Sequence, residues 1–424
     1  MYRVEIELDQ RILILDGAMG TMLQRYSLQE VDYRSNILEN HAINLKGNYD
    51  ILNLTKPDIV KNIHLDYLRA GADIISTNTF GANCLSQQDY QTAELVYDIN
   101  YYGAKIAKEA VSEIQPKGVK PLFVAGAMGP TTKLASLSTV CNPDLRQVTF
   151  DQLVLAYTQQ ASALIAGGVD LFLLETITDT LNAKAALFAL MQLFKEIGKE
   201  FPIMVSGTIT DASGRTLSGQ TLEAFLISIA HVPILSIGLN CALGATELRP
   251  HIEVLDKKSS FFVSAHPNAG LPNHFGEYTQ SPAELATIIT EFAQNGWLNI
   301  VGGCCGTTPE HVEAIAKALK DKAPRRRIKM RTSPSKASLK ITDRITRQII
   351  ENWFISTDVE NKPTFSLKEL TEIISRVEDE RSFIKLKSAF DKEKARYHPE
   401  QAMLLNAHIY GRYQYLRTDL TMKN

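Results

Sequence analysis

The sequence has few cysteines, no long apolar run and almost no net charge. Its five cysteines are odd in number and scattered over 424 residues, which does not fit a secreted, disulfide-rich protein. No uninterrupted apolar stretch reaches the length of a membrane span, and the first residues lack the apolar core of a secretory signal. A formal net charge of -2 gives no general attraction to nucleic acid or to membranes. We therefore expect a cytoplasmic protein without nucleic-acid or membrane partners.

Short apolar segments alternate with longer segments of helical periodicity through about the first 320 residues. Strands are predicted at 11–17, 72–80, 122–130, 170–178, 202–210, 234–242, 262–270 and 298–306. Helices are predicted at 57–71, 84–114, 150–168, 179–198, 221–231, 245–256, 281–296 and 308–320. Because each strand is followed by a helix, the pattern predicts a closed (β/α)8 TIM barrel, and an open doubly wound sheet is the alternative.

The composition changes after about residue 322. Residues 322–340 contain eight basic residues and no acidic one, with serine, threonine and proline interspersed. Such a segment indicates an exposed linker. Residues 341–424 have helical periodicity and contain neither cysteine nor a glycine-rich loop. We expect a barrel over 1–322, a basic linker over 323–340 and a small helical segment of unknown role over 341–424.

Three of the five cysteines fall where predicted strands end. Cys241 ends the sixth strand, and Cys304 and Cys305 end the eighth. The strand ends of a barrel meet at one rim, so these sulfurs can converge although Cys241 and Cys304 are 63 positions apart in the sequence. A single buried cysteine is more often a small apolar filler, whereas three thiolates with one vacant position describe a catalytic zinc site. The sequence therefore predicts bound Zn2+ whose fourth ligand is a substrate thiol, held as an anion because zinc lowers its pKa.

Polar groups at other strand ends can orient such a substrate. Asp16 and Glu175 end the first and fourth strands and can bind an ammonium group. Glycines next to Asp16 leave the backbone N–H groups of residues 18–21 open to a carboxylate. Alternatively, Asp16 is a turn residue and Glu175 an ion-pair partner. His266 is a possible fourth ligand or acid-base group, although we expect a packed, hydrogen-bonded histidine.

Several motifs carry a resemblance to a known family. They include "ILDGAMGTMLQ", "SGTITDASGRTLSGQT", "GLNCALG", "SAHPNAGLPN" and "NIVGGCCGTTPEHV". Over about residues 10 to 322 the chain resembles homocysteine S-methyltransferases, closest to the N-terminal homocysteine-binding module of cobalamin-dependent methionine synthase. The resemblance implies a barrel with Cys241, Cys304 and Cys305 as zinc ligands. The substrate contacts that we predict are Asp16, Gly17, Met19, Gly20, Glu175 and Asn240.

The chain departs from that family after the barrel. Modules that bind pterin and cobalamin are not recognisable, and the loop pattern Asp-x-His-x-x-Gly is absent from the sequence. We therefore expect methyl transfer to homocysteine with methylcobalamin, free or on a separate corrinoid or pterin-binding partner, as donor. One alternative is a stand-alone enzyme that uses betaine, S-methylmethionine or another onium donor. Another is a truncated zinc-binding or partner-binding chain without turnover.

Overall fold

Eight parallel strands form the sheet of the computed structural model, which describes residues 2–114, 120–138, 146–210 and 213–327. The strands are β1 (Leu13–Ile14), β2 (Ile74–Ser76), β3 (Phe123–Met128), β4 (Leu171–Ile177), β5 (Ile203–Gly207), β6 (Ser236–Gly244), β7 (Phe262–Asn268) and β8 (Ile300–Val301). They pair in sequence order from β2 to β8, and β8 pairs with β1. Each lies in or overlaps a predicted segment.

The barrel closes between β1 and β2. The Asp16 N–H donates to the Ile74 carbonyl at 3.0 Å, and the Asp73 N–H donates to the Ile14 carbonyl at 2.7 Å. A parallel bridge pairs Leu15 with Ile74. These bonds confirm the predicted (β/α)8 barrel and exclude the open sheet.

Helices separate the strands along the chain. They are α1 (Arg3–Leu8), α2 (Met19–Arg25), α3 (Leu52–Thr55), α4 (Pro57–Arg69), α5 (Cys84–Gln87), α6 (Val96–Ile114), α7 (Phe150–Gly167), α8 (Thr180–Ile197), α9 (Leu222–Ile229), α10 (Ala245–Lys258), α11 (Pro282–Gln294) and α12 (Pro309–Leu319). The helix predicted over 84–114 is interrupted, because Gln91 adopts a left-handed φ of 51° that a helix cannot accommodate. Within the described residues, no helix is both long and apolar enough to cross a membrane.

Strand side chains alternate between two apolar clusters. The larger cluster lies between the sheet and the helices. The smaller one contains the other strand face together with Val4 and Leu8 of α1. Because neighbouring strand residues point to opposite faces, the smaller cluster fills the barrel interior, and α1 packs against it.

Polar side chains that immediately precede three of the strands bind the backbone of a neighbouring strand. Asp73, Asp170 and Asn299 each accept a hydrogen bond from a backbone N–H of the neighbouring strand, at 2.8 to 3.0 Å. The buried Arg325 guanidinium donates to Asp256 and to three backbone carbonyls. These bonds fix residues after α12 to the barrel. The rest of the predicted linker, the predicted helical segment 341–424 and Cys141 lie outside the described residues.

Candidate active site

Three cysteine sulfurs meet at the rim formed by the strand ends. The sulfurs of Cys241, Cys304 and Cys305 all lie within 4.8 Å of one another. Those of Cys241 and Cys305 are 3.6 Å apart. Cys241 belongs to β6, and the other two follow β8. The tertiary structure therefore brings together the three residues predicted to bind zinc, in a spacing that one metal ion can bridge.

Two glycines before the cysteine pair allow this turn. A Cβ on Gly303 would lie 2.3 Å from Thr307 Oγ1, and one on Gly302 would lie 2.6 Å from the Asp16 carbonyl oxygen. Contacts that short are not tolerated by a real side chain. The turn is further held because the Cys304 N–H donates to the Pro267 carbonyl at 2.8 Å. Close backbone approach, rather than unusual φ, is the reason for glycine at these two positions.

The end of β6 is strained where it carries Cys241. Cys241 and Ala242 have φ values of 60° and 55°, the left-handed region that non-glycine residues seldom occupy. The pairing of β6 with β7 also shifts register between Asn240 and Gly244. Strain of this kind persists where the surroundings impose it and is common at functional sites.

Asn240 lies beneath the sulfur cluster in a fixed orientation. Its Oδ1 accepts from the Thr176 N–H at 3.0 Å and from Ser206 Oγ at 2.7 Å. Its Nδ2 donates to Thr176 Oγ1 at 2.8 Å and to Cys304 Sγ at 3.8 Å. The side chain that we predicted as a substrate contact therefore contacts a sulfur of the cluster.

The three thiols shift one another's pKa values. Hydrogen bonds from Cys241 and Cys304 lower the pKa of the Cys305 thiol to about 3. The hydrogen bonds of Cys304 to Cys241 and to Cys305, followed by burial, raise the pKa of Cys304 well above its usual range. The shifts therefore favour one thiolate over several, and a cation among the sulfurs would favour further deprotonation.

Two acidic residues face the cavity beside the sulfurs. Asp16 is buried and accepts hydrogen bonds from the Ser76 N–H at 2.8 Å and from Ser76 Oγ at 3.0 Å, and burial raises its pKa to about 7. Burial, followed by the charges of Asp16 and Cys305, raises the pKa of Glu175 to about 8. Among the described residues, no basic side chain offsets either shift. The pair is therefore suited to a ligand that brings a positive charge.

A cavity of about 1440 Å³ contains all of these groups. Every predicted site residue lines it: Asp16, Gly17, Met19, Gly20, Glu175, Asn240, Cys241, Cys304 and Cys305. Helix α2 begins at Met19, and the N–H groups of its first turn have no acceptor within the helix. The Ala18 N–H is already bonded to Thr307 Oγ1 at 3.2 Å. The N–H groups open to a carboxylate are therefore those of Met19, Gly20 and Thr21.

Sequence reasoning missed several residues of this rim. Ser76, Thr176 and Ser206 hold the predicted side chains in place, and only their positions near strand ends could have indicated this. Tyr278, from the loop after β7, also faces the sulfurs. His266 lines the cavity and is packed as expected, but the expected hydrogen bond is not made at its buried Nε2, which has no partner among the described residues. Its ring does not belong to the group of mutually close ligand atoms.

Comparisons with known proteins agree with this arrangement. The sequence profile of a family described as homocysteine S-methyltransferase matches residues 13–319. The homocysteine methyltransferase MmuM from Escherichia coli, in its metallated form, is 21% identical, with a TM-score of 0.58 over 74% of this chain and 98% of that one. Its oxidised form is 20% identical, with a TM-score of 0.55 over 72% and 95% of the two chains. At these identities the structural likeness supports the fold.

Proposed function

The chain belongs to the homocysteine S-methyltransferase family, and from this we propose that it transfers a methyl group to the homocysteine thiol in a zinc-dependent reaction that forms methionine. The observation that carries the proposal is the convergence of three cysteine sulfurs within 4.8 Å, next to two carboxyl groups for which the described residues supply no cationic partner. Sulfur ligands bind the metal, and the acids bind the amino acid. The donor is the remaining unknown.

The donor set fits zinc. Cys241, Cys304 and Cys305 supply three sulfurs, and no histidine or carboxylate of the described residues joins them within the same distance. Structural zinc sites usually have four protein ligands, whereas catalytic sites keep one position for substrate. Zinc held by these cysteines would lower the pKa of an incoming thiol and keep its sulfur anionic at neutral pH.

The surrounding residues would hold homocysteine by its amino acid group. Asp16 and Glu175 would accept hydrogen bonds from its ammonium group, which also offsets their mutual repulsion. The free N–H groups at the start of α2 would bind its carboxylate. With both ends held, the thiol reaches the cysteine cluster in one orientation. Its sulfur then forms a bond to the methyl carbon while the bond from that carbon to the donor breaks, and the electron pair leaves with the donor.

We favour methylcobalamin as donor, free or on a separate corrinoid or pterin-binding partner. The motifs resemble the cobalamin-linked branch, and the cavity exceeds the roughly 300 to 1,000 Å³ typical of small-ligand sites. A cavity of this size can admit a methyl donor that is carried by a bulky group. A small onium donor such as S-methylmethionine or betaine is the second candidate, favoured by the charge of the cavity. Among the described residues, its wall contains one arginine and six acids: Asp16, Asp50, Asp89, Glu175, Glu277 and Glu310.

Methionine formation by the zinc-loaded full chain tests the proposal. Homocysteine would be supplied with free methylcobalamin, S-methylmethionine or betaine in parallel reactions. We expect Cys304→Ser to lose bound zinc and activity. Cys84→Ser is the matched control, because Cys84 is half-buried on α5 and does not line the cavity, and it should retain both. Zinc retention without methionine from any donor would contradict the proposed reaction and favour a chain that binds zinc without turnover.

A further inference from the structure

We propose that Thr176 and Asn240 together fix the separation between Glu175 and the cysteine sulfurs, and that this separation selects homocysteine over the shorter thiol amino acid cysteine. The inference rests on the proposed function, in which the acids bind the ammonium group and the cysteine cluster holds the metal that binds the thiol. A ligand held at both ends must have the length that separates them. Residues that fix this separation therefore determine which chain length fits.

The strand ends that carry Glu175 and Cys241 both depart from regular β structure. Thr176, next to Glu175, has a φ of 55°, and the pairing of β4 with β5 shifts register between Leu174 and Ile177. Cys241 has a φ of 60°, and the pairing of β6 with β7 shifts register at that point. A β-branched residue such as threonine seldom occupies the left-handed region. Both strand ends therefore need surroundings that hold them in place.

Thr176 and Asn240 hold these two strand ends together. Strand β5 lies between β4 and β6 in the sheet, so backbone pairing does not join them directly. The Thr176 N–H donates to Asn240 Oδ1 at 3.0 Å, and Asn240 Nδ2 donates to Thr176 Oγ1 at 2.8 Å. Ser206 Oγ also donates to Asn240 Oδ1 at 2.7 Å, and Thr208 Oγ1 donates to the Asn240 carbonyl at 3.0 Å. Because Asn240 is almost fully buried, water does not compete for these bonds.

The link between Thr176 and Asn240 reaches both the acid and the sulfurs. Glu175 directly precedes Thr176, and Cys241 directly follows Asn240. Asn240 Nδ2 also donates to Cys304 Sγ at 3.8 Å. One acid and two proposed zinc ligands are therefore each one residue or one hydrogen bond away from the same pair of side chains. A change in this pair would alter the separation between the acid and the sulfurs.

The second acid, Asp16, is tied to the cysteines through the backbone. The Gly303 N–H donates to the Asp16 carbonyl at 3.0 Å, and Cys304 is the next residue. This path contains no side chain that a substitution could shorten. The Thr176 hydroxyl is different, because it can be removed while both acids and all three cysteines stay unchanged.

Homocysteine and cysteine differ by one methylene group. If the separation is fixed for homocysteine, a cysteine molecule whose sulfur reaches the metal leaves its ammonium group short of the acids. It then loses an interaction between charged groups, which is worth about 10- to 150-fold in Kd. We therefore expect the wild-type chain to bind homocysteine more tightly than cysteine by about this factor, which we call the chain-length preference.

Calorimetric titration of the zinc-loaded full chain with homocysteine, cysteine and 1-propanethiol tests this inference. The third ligand has the thiol and carbon chain of homocysteine without its ammonium and carboxylate groups, so its Kd measures the metal end alone. Thr176→Val removes the hydroxyl and keeps the shape of the side chain. We expect it to lower the chain-length preference about fivefold or more, because the buried Asn240 Nδ2 loses an acceptor. The Kd of 1-propanethiol should stay unchanged.

Three further variants complete the comparison. Thr176→Ser retains the hydroxyl and should retain the wild-type preference. Ser206→Ala removes a different bond to the same amide and should lower the preference, which tests the inference even if Thr176→Val does not fold. Thr287→Val is the matched control, because Thr287 is exposed on α11 and its hydroxyl donates to the Ala283 carbonyl within that helix at 2.8 Å. It should leave all three Kd values unchanged. Zinc content and a thermal melt are measured for every variant.

The outcomes separate this inference from the proposed function. A wild-type preference in folded Thr176→Val or in Ser206→Ala, with zinc retained, would overturn the inference alone. Loss of zinc from Thr176→Val, or equal weakening of homocysteine and 1-propanethiol, would also overturn it, since Thr176 would then support the metal site and not the separation. If the wild-type chain binds homocysteine no more tightly than 1-propanethiol, the proposed site for the amino acid group is wrong instead.

Discussion

Replacing Glu175 with glutamine is expected to stabilise the fold and weaken homocysteine binding. Burial and the charges of Asp16 and Cys305 raise the pKa of Glu175 from its usual 4.5 to about 8. For an acid whose pKa is higher in the folded state, the free energy of unfolding falls as pH rises between the two values. Glutamine has nearly the same shape and no charge, so it avoids this penalty.

The size of the effect follows from the two pKa values. Near pH 7 the penalty for keeping Glu175 folded is at most about 3 kcal/mol, since each tenfold change in proton affinity is worth about 1.4 kcal/mol. Water in the cavity reduces it, so we expect a gain of about 1 to 3 kcal/mol at pH 7 and below about 1 kcal/mol at pH 5. Homocysteine binding should weaken by about 10- to 150-fold, because a hydrogen bond between charged groups contributes about 1.5 to 3 kcal/mol.

Two assays measure these opposite changes. Urea unfolding of metal-free, reduced protein at pH 7 and pH 5 gives the stability difference, and calorimetric titration of zinc-loaded protein gives the homocysteine Kd. Glu277→Gln is the matched control, because Glu277 lines the same cavity but is exposed and bonds to Asn273. A Glu175→Gln variant that is less stable at pH 7 would refute the assignment of a partly buried, repelled carboxylate. An unchanged Kd would place the ammonium group elsewhere.

Two further changes test other parts of the structure. Gly303→Ala should cost about 1 to 3 kcal/mol by overpacking against buried Thr307 and should displace the cysteine turn. Urea unfolding and zinc content measure both effects, and wild-type values for the two would contradict the close packing. His64 is buried on α4, neither ring nitrogen has a described partner, and burial lowers its pKa to about 4. Because the unfolded chain binds the proton more tightly, stability should fall between about pH 6.5 and 4. In urea unfolding from pH 7 to 4.5, wild type should lose about 2 to 3 kcal/mol more than His64→Leu. If the free energies of unfolding of wild type and His64→Leu change equally with pH, His64 is not held neutral in the folded state.

Much of the architecture was predictable because strand and helix periodicities are local. The eight predicted strands are confirmed, including the short β1 and β8, whose apolar residues stand out against their polar flanks. The helix over 84–114 was wrong in its first part, because periodicity does not reveal the left-handed turn at Gln91. The convergence of Cys241 with Cys304 and Cys305 followed from barrel closure. Their proposed roles, and those of the substrate contacts, stay predictions.

The sequence by itself determined which residue types stand at which strand ends. The three cysteines, the two acids and the glycines of the close turn can be identified from it, because each is defined by its position relative to a predicted strand. Only the tertiary structure decided the 3.6 Å between the sulfurs of Cys241 and Cys305, which are 64 residues apart. It also decided that Asn240 donates to Cys304. Contacts of this kind depend on strand register and on how loops fold back over the rim, and both arise from packing among distant segments.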